Sequence, residues 1–264
     1  GGKIKFPKIS VGASQNLIIA ATLADGKTVL KNCAIEPEIK DLVNFLNSAG
    51  GKLRWIGKRT LQINGVKFLN SINYSIMSDR IETGTWLIVA AITEGKLKIG
   101  KFNPKLIQTE INILKKIGAK IKTKGDEIYI QGNKNIKSIN LKTEVYPGFP
   151  TDLQAQMMAL LCKANGRSEI TENIFEHRYM HVAELRRLGA KIKIKGSKSI
   201  IEGNTKFEGA ELMSTDLRAS ASLVLAALSA KGKSIINRVY HLDRGYEQFE
   251  KKLIKVGVKI NRIS

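Results

Sequence analysis

The chain has 264 residues, 43% of them hydrophobic and 25% charged, which is enough to bury one large core or two smaller ones. Its formal net charge is +21, and its two cysteines, Cys33 and Cys162, are too few for a disulfide framework and favour a reducing compartment. No apolar run reaches the roughly 18 residues that a membrane-spanning helix needs, which excludes a helical membrane protein.

Four segments with the same order of predicted elements follow one another along the chain. Each predicts a strand, an Ala-rich apolar helix, a second strand, an amphipathic helix and two short strands. A glycine follows the first helix at Gly26, Gly95, Gly166 and Gly232, and the second helix at Gly50, Gly118, Gly189 and Gly257. Both series recur about every 70 residues, so the chain reads as four β-α-β-α-β-β units. We expect the second glycine of each unit to be a left-handed helix cap.

The first unit ends in a polar stretch, residues 70–78, with few apolar anchors. We place a boundary near Ile76, which gives a first domain of residues 1–76 with one unit and a second domain of residues 77–264 with three. In the middle units the closing strand pairs are predicted to turn at Gly125-Asp126 and Gly196-Ser197.

The last unit indicates how the layers are arranged. Its first helix, around residues 217–227, is apolar almost all round, which is typical of a buried helix. Its second helix is amphipathic, with Phe249 and Leu253 opposite Lys251 and Lys252. One buried helix and one covering helix per unit predict an α/β fold with helices inside and sheets outside.

Polar residues recur at the start of each buried helix, at Ser10, Asp79, Asp152 and Asp216. Ser and Asp at a helix start commonly cap its free N–H groups, and we expect that role for at least one residue in each unit. Capping does not explain Arg80 and Arg218, because a cation in the first turn opposes the helix dipole. A bound anion would compensate for these arginines.

A second polar cluster precedes the amphipathic helix of the last two units. It contains Arg178, between His177 and His181, and Arg244, shortly after His241. If helix starts from several units converge, their positive ends and these arginines form a receptor for phosphate and carboxylate groups. Arginine binds planar anions in a bidentate manner, so these positions are more informative than the many lysines.

Five sequence motifs resemble signatures of the UDP-N-acetylglucosamine enolpyruvyl transferase family, and the resemblance covers the whole chain in register. They lie at residues 79–84, 149–156, 176–182, 215–223 and 243–247. The resemblance implies an inside-out α/β barrel of six units, three in each lobe, with the active site between the lobes. This chain would hold the last unit of one lobe and three units of the other.

The resemblance also implies an activity. The family moves the enolpyruvyl group of phosphoenolpyruvate to the 3-hydroxyl of UDP-N-acetylglucosamine and releases phosphate, the first committed step of peptidoglycan synthesis. It implies a cytoplasmic transferase, monomeric at full length, that requires neither a metal nor an organic cofactor. No nucleic acid or membrane partner is implied.

Carried over residue by residue, the resemblance makes Asp152 a contact of the sugar 3-hydroxyl and a candidate general base. Three arginines and an aspartate match residues around the enolpyruvate site, namely Arg178, Arg218, Arg244 and Asp216. Further positions match contacts of the sugar nucleotide, namely Lys8, Ser10, Val11, Gly12 and Ile174.

The resemblance places the family's proton-donor loop, its Lys-Asn pair and one more substrate-binding arginine ahead of Gly1. We therefore expect the chain to be inactive alone, whether the missing front is a gene fragment or a true truncation and whether the donor is Cys or Asp. Cys33 and Cys162 both read as core and cannot replace the donor. Tyr146 stands where the family pattern has His, which leaves that position without an assigned role.

Two other functions stay open on the sequence alone. One is enolpyruvyl transfer to shikimate 3-phosphate, because the sister family shares the repeat, although it lacks the motifs around Asp152 and Arg178. The other is nucleic-acid binding, suggested by the net charge of +21. Against it, lysine alternates with isoleucine in Lys191–Lys195, which is typical of a solvated strand face.

Overall fold

The computed structural model describes residues 1–263, which form two compact units. The first contains residues 1–78 together with residues 145–147, and the second begins at Asp79 and contains the rest of the chain. The short segment 145–147 belongs to the first unit although it lies far along the chain, a feature that the sequence did not indicate.

The first unit contains one repeat. Its elements are β1 (Lys3–Lys5), α1 (Val11–Thr22), β2 (Lys27–Lys31), α2 (Pro37–Ser48), β3 (Lys52–Gly57) and β4 (Thr60–Asn64). The strands form one sheet in the order β1-β2-β4-β3, in which β1 is parallel to β2 and the other pairs are antiparallel.

The second unit contains three repeats. The elements of the first are α3 (Arg80–Ile92), β5 (Lys96–Ile99), a 3-10 turn (Pro104–Ile107), α4 (Gln108–Lys116), β6 (Lys120–Lys124) and β7 (Glu127–Gln131). Those of the next are β8 (Asn140–Lys142), a 3-10 turn (Thr151–Leu153), α5 (Gln154–Cys162), β9 (Arg167–Thr171), α6 (His181–Arg187), β10 (Lys191–Lys195) and β11 (Lys198–Glu202). Those of the last are β12 (Glu211–Met213), α7 (Leu217–Leu228), β13 (Ile235–Asn237), α8 (Tyr240–Asp243) and α9 (Phe249–Lys255).

The first helix of each repeat in the second unit is its core element. Helices α3, α5 and α7 contact one another, and all nine residues of α5 are buried. Outside them lie sheets in the orders β5-β7-β6, β10-β11-β9-β8 and β12-β13. Because each fully buried Leu or Ile contributes about 1.5–3 kcal/mol by leaving water, this inner layer of helices stabilises the unit most.

The structure bears out the repeat and also shows where it is incomplete. The second glycine of each unit has a positive φ of 99, 116, 100 and 93°, so all four are the left-handed caps that the sequence predicted. Within residues 1–263, the second repeat has no strand before α3, and residues 258–263 after α9 form neither helix nor strand.

Lysines occupy the edge strands of three sheets. Strands β3, β6 and β10 each lie at a sheet edge, and in β10 the side chains of Lys191, Lys193 and Lys195 are exposed. The prediction of a solvated lysine face is confirmed there. Charged edge strands also resist pairing with a second chain, which gives the lysines a role unrelated to nucleic acid. None of the helices in residues 1–263 combines the length and apolar character needed to cross a membrane.

Candidate functional site

Asp152 and two arginines from other elements meet in the second unit. Asp152 lies in the 3-10 turn before α5, Arg178 in the loop before α6, and Arg218 in the first turn of α7. Arg178 Nη2 donates to Asp152 Oδ1 at 2.7 Å, and Arg218 Nε lies 3.5 Å from the same oxygen. Two of the three predicted arginines therefore converge on the predicted base.

The charges in this cluster stabilise one another. Partial burial opposes ionisation of Asp152, but the fields of Arg218 and Arg178 and their hydrogen bonds outweigh it and lower the pKa of the carboxyl. Burial likewise opposes the charge of Arg218, and Asp152 is the main group that raises its pKa. The Asp152 side chain keeps 37% of its surface exposed, so solvent can reach the cluster.

Helix capping explains several of the recurring polar residues but not Asp152. Ser10 accepts from the Ala13 amide, Asp79 from two amides of α3, and Asp216 from the Arg218 and Ala219 amides. Asp152 instead directs its carboxylate at Arg178 of its own repeat and at Arg218 of the next repeat. Arg80 has an acidic neighbour inside the fold. It is buried and lies 3.9 Å from the carboxylate of Glu110, so it does not face an open anion site.

Asp216 adjoins this cluster through the start of α7, whereas Arg244 does not share its contacts. Asp216 fixes the start of α7, from which the Arg218 side chain projects. Arg244 is exposed, directly after α8, and within residues 1–263 it forms no hydrogen bond or ion pair with the other predicted residues. The structure therefore brings Asp152, Arg178, Arg218 and Asp216 together and leaves Arg244 unengaged.

A buried hydrogen-bond chain lies behind Arg218. The Thr85 hydroxyl donates to the Ile81 carbonyl, so the Tyr246 hydroxyl, 2.8 Å away, donates to Thr85. The phenol oxygen then accepts from Gln156 Nε2 at 3.2 Å and faces Arg218 Nη1 at 3.5 Å. Burial raises the pKa of Tyr246 despite the nearby arginine, so the phenol keeps its proton. Thr85, Gln156 and Tyr246 were not predicted as site residues, although Gln156 and Tyr246 each lie in a recognised motif.

His181 lies beneath the cluster and is 3% exposed. Burial lowers its pKa to about 4, with Asp216 opposing the shift and Arg178 reinforcing it. The imidazole is therefore neutral at physiological pH and adds no charge to the site.

The residues predicted to bind the sugar nucleotide are divided between the units. Lys8, Ser10, Val11 and Gly12 lie at the start of α1 in the first unit, where Lys8, Ser10 and Gly12 are exposed. Ile174 is half-buried in the second unit, and its amide donates to Glu172 Oε1 at 2.9 Å.

The site chemistry rests on arginine and carboxylate. Within residues 1–263, no three side chains among His, Cys, Asp and Glu are placed to hold a metal ion together. Cys33 and Cys162 are both buried and free, and burial raises the pKa of the first to about 11 and that of the second to about 12. Neither thiol is placed or charged to act as a nucleophile or proton donor.

Curated relatives match this chain over its whole length. A UDP-N-acetylglucosamine 1-carboxyvinyltransferase from Pelagibacter ubique (strain HTCC1062) is 69% identical over 264 residues, which cover 100% of this chain and 63% of the relative. A protein of the same name from Paramagnetospirillum magneticum (strain ATCC 700264 / AMB-1) is 48% identical, with 100% of this chain and 61% of the relative covered. The chain thus spans less than two thirds of the relatives that it matches.

Solved structures and a family model agree on the fold. The enolpyruvyl transferase NikO from Streptomyces tendae superposes with a TM-score of 0.88 at 26% identity, over 95% of this chain and 60% of that chain. An EPSP synthase from Acinetobacter baumannii gives a TM-score of 0.75 at 20% identity, over 98% and 63%, and shows the fold alone. The predicted enolpyruvyl transferase fold is confirmed. The family model described as EPSP synthase (3-phosphoshikimate 1-carboxyvinyltransferase) matches residues 1–253 of the sequence, and the chain belongs to this family.

Proposed function

We propose that the protein of which this chain is part transfers the enolpyruvyl group of phosphoenolpyruvate to the 3-hydroxyl of UDP-N-acetylglucosamine. The observation that carries the proposal is the convergence of Arg178 and Arg218 on Asp152, three residues from two successive repeats that share one solvent-accessible cluster. Two guanidinium groups suit the phosphate and carboxylate of the donor, and the carboxylate suits an attacking hydroxyl.

The low pKa of Asp152 bears on how it acts as a base. In the free protein both arginines stabilise the ionised carboxylate, which makes it a weak proton acceptor. When the two arginines bind an anionic substrate instead, they no longer stabilise the carboxylate of Asp152, and its pKa rises. Donor binding would thus prepare Asp152 to accept the proton of the 3-hydroxyl.

The reaction has an addition and an elimination. In the addition, the hydroxyl oxygen bonds to C2 of phosphoenolpyruvate, C3 gains a proton from a donor outside the residues described, and Asp152 takes the hydroxyl proton. In the elimination, C3 loses a proton, the C2–O bond to phosphate breaks, and phosphate leaves. Arg178, Arg218 and the exposed Arg244 would stabilise the charge on the tetrahedral adduct and on the leaving phosphate.

We assign the sugar nucleotide to two places by the same resemblance. In the first unit, the start of α1 presents Lys8 and the free N–H groups of the first turn, a combination that favours a diphosphate. Lys8, Ser10, Val11 and Gly12 would contact it there. In the second unit, Ile174 would contact the acceptor next to Asp152.

The whole protein is proposed to act in the cytoplasm as a monomer, in peptidoglycan synthesis. Two buried, free cysteines suit a reducing compartment. We further infer that residues 1–76 form one repeat of one lobe and residues 77–264 the three repeats of another. The names of the curated relatives support UDP-N-acetylglucosamine over shikimate 3-phosphate as acceptor.

The test uses a chimera in which this chain is joined to the part of the Pelagibacter ubique relative that it does not match. Phosphate release is measured with phosphoenolpyruvate and either UDP-N-acetylglucosamine or shikimate 3-phosphate. The proposal predicts release with the first acceptor. Release only with the second acceptor would replace the proposal with the sister activity, and release with neither acceptor would contradict it.

A further inference from the structure

One repeat position differs from its equivalents in conformation and burial. The residues six places after the first glycine of each repeat are Asn32, Lys101, Glu172 and Arg238. Three of them, Asn32, Lys101 and Arg238, have positive φ values of 62, 56 and 57°, and none of these three is buried. Glu172 is absent from the positive-φ residues, and it is only 3% exposed. The third repeat has therefore replaced a surface turn with a buried carboxylate.

The Glu172 carboxylate accepts hydrogen bonds from four donors. Its Oε1 accepts from the Thr143 hydroxyl at 2.8 Å and from the amides of Ile174 and Phe175 at 2.9 and 3.1 Å. Its Oε2 accepts from the Thr151 hydroxyl at 2.9 Å. A carboxylate suits this position because it offers several acceptor sites, and buried polar groups are stable only when they are paired.

These four bonds join the segments that carry the site residues. Thr143 follows β8, Thr151 directly precedes Asp152, and Ile174 and Phe175 begin the loop that leads to Arg178. Phe175 also contacts this loop's arginine, since the Arg178 guanidinium carbon lies 5.0 Å from the centre of its ring. One buried side chain thus links the turn that bears the carboxylate to the loop that bears its arginine.

We propose that Glu172 is a positioning residue that sets the distance between the Asp152 turn and the Ile174–Arg178 loop. It contacts neither Asp152 nor Arg178 and acts through Thr151 on one side and through the two amides on the other. The inference rests on the proposed function, because the two segments it joins are those assigned to the base, the acceptor and the donor anion. A displacement of about 1 Å at such groups costs on the order of 100-fold in rate.

The experiment compares steady-state kinetics and amide hydrogen exchange of the chimera and its variants. Glu172→Ala removes both acceptor oxygens and with them all four hydrogen bonds, Glu172→Gln keeps Oε1 and the side-chain shape, and Thr151→Val removes only the hydrogen bond from Thr151 to Oε2. The matched controls are Glu169→Ala and Glu169→Gln, at a half-exposed residue of β9, the strand that Glu172 directly follows, and Glu169 pairs with Lys198.

We expect Glu172→Ala to lower kcat/KM for the acceptor on the order of 100-fold and to speed exchange at the Ile174 and Phe175 amides at least tenfold. Glu172→Gln should restore most of both, because the threonine hydroxyl can accept from the new amide. Thr151→Val should lower kcat with little change in acceptor KM. It frees the turn that carries Asp152 but keeps the hydrogen bonds between Glu172 and the amides of Ile174 and Phe175. Both Glu169 variants should match the parent.

Several results would overturn the inference. It fails if Glu172→Ala matches Glu169→Ala in kinetics and exchange, or if Glu172→Gln is as impaired as Glu172→Ala. If Glu172→Ala does not fold, the split between kcat and KM in Thr151→Val decides the matter. If the parent chimera is inactive, the proposed function fails, and the exchange rates of Ile174 and Phe175 alone then support or refute the role of Glu172.

Discussion

The Nη2 of Arg178 lies 2.7 Å from Oδ1 of Asp152. The two residues are 26 positions apart, in different loops of the same repeat, and Arg218 from the next repeat approaches the same oxygen. The carboxylate therefore occupies the arginines that an anionic substrate would bind. An incoming phosphate or carboxylate must compete with Asp152 for them, and this competition gives the first prediction.

Replacing Asp152 with Asn should strengthen the binding of inorganic phosphate. The substitution removes the negative charge that neutralises Arg178 and Arg218, and a partly exposed ion pair of this kind is worth up to about 1 kcal/mol, or roughly fivefold in affinity. Isothermal titration of phosphate at low ionic strength measures the effect, with Glu169→Gln as the control that changes net charge equally. Equal or weaker binding by the Asp152 variant would show that these arginines do not form the anion site.

The stability of the protein should depend on pH through Glu110. Burial raises the pKa of this carboxyl from 4.5 to about 7, although Arg80 opposes the shift. Between these two values the folded state holds a proton that the unfolded state has lost, so the free energy of unfolding falls as pH rises from 4.5 to 7. Glu110→Gln has no carboxyl to titrate, so its free energy of unfolding does not fall in this way. The difference in free energy of unfolding between Glu110→Gln and the parent should therefore be more favourable to the variant at pH 8 than at pH 5.

Urea unfolding of the two proteins at both pH values measures this difference. Glu127→Gln is the control, because Lys98 and Tyr129 lower the pKa of that exposed carboxyl from 4.5, which is already below the pH range compared. A relative stability of Glu110→Gln that stays constant between pH 5 and pH 8 would contradict the raised pKa.

Tyr246→Phe should destabilise the protein by about 1–3 kcal/mol. Tyr246 is 1% exposed, and loss of its hydroxyl removes its hydrogen bonds with Thr85 and Gln156 at a buried place where water cannot readily replace them. Tyr240→Phe is the control, since that ring is 54% exposed, and it should change stability by less than about 0.5 kcal/mol. Thermal or urea unfolding compares them, and equal effects would show that the buried chain contributes nothing.

Gly84→Ala should be destabilising by about 1–3 kcal/mol because of overpacking. A Cβ on Gly84, in the middle of α3, would overlap Cδ1 of Leu153, which is fully buried next to Asp152. Gly100→Ala is the control, since a Cβ there meets no atom within 4 Å. Urea unfolding measures both, and a Gly84 variant as stable as the control would show that Leu153 can move at little cost.

Local patterns in the sequence were enough to predict much of the fold. Glycine caps such as Gly50 and Gly118 depend only on the backbone around them, and the repeat made each observation fourfold. The missing strand before α3 follows no local rule, because a strand forms only where a partner is available.

Residue type and recurrence also predicted where Asp152 and the arginines of the cluster lie. The supporting residues were missed for a physical reason. Thr85, Gln156 and Glu172 are functional only through partners that tertiary packing supplies, and a lone Thr or Gln in an apolar helix has no pattern of its own. For Glu172 the available signal was its contrast with the equivalent residues of the other repeats, and for Gln156 it was the motif at residues 149–156.

The most direct measurement is phosphate release from phosphoenolpyruvate and UDP-N-acetylglucosamine by the parent chimera, its Asp152→Ala variant and its Glu169→Ala variant. If the Asp152 cluster carries the reaction, the parent and the Glu169 variant release phosphate only when both substrates are present. The Asp152 variant should then be slower by about 100-fold or more, the range expected for loss of a general base. Phosphate release at the parent rate by a folded Asp152→Ala variant would contradict the assignment.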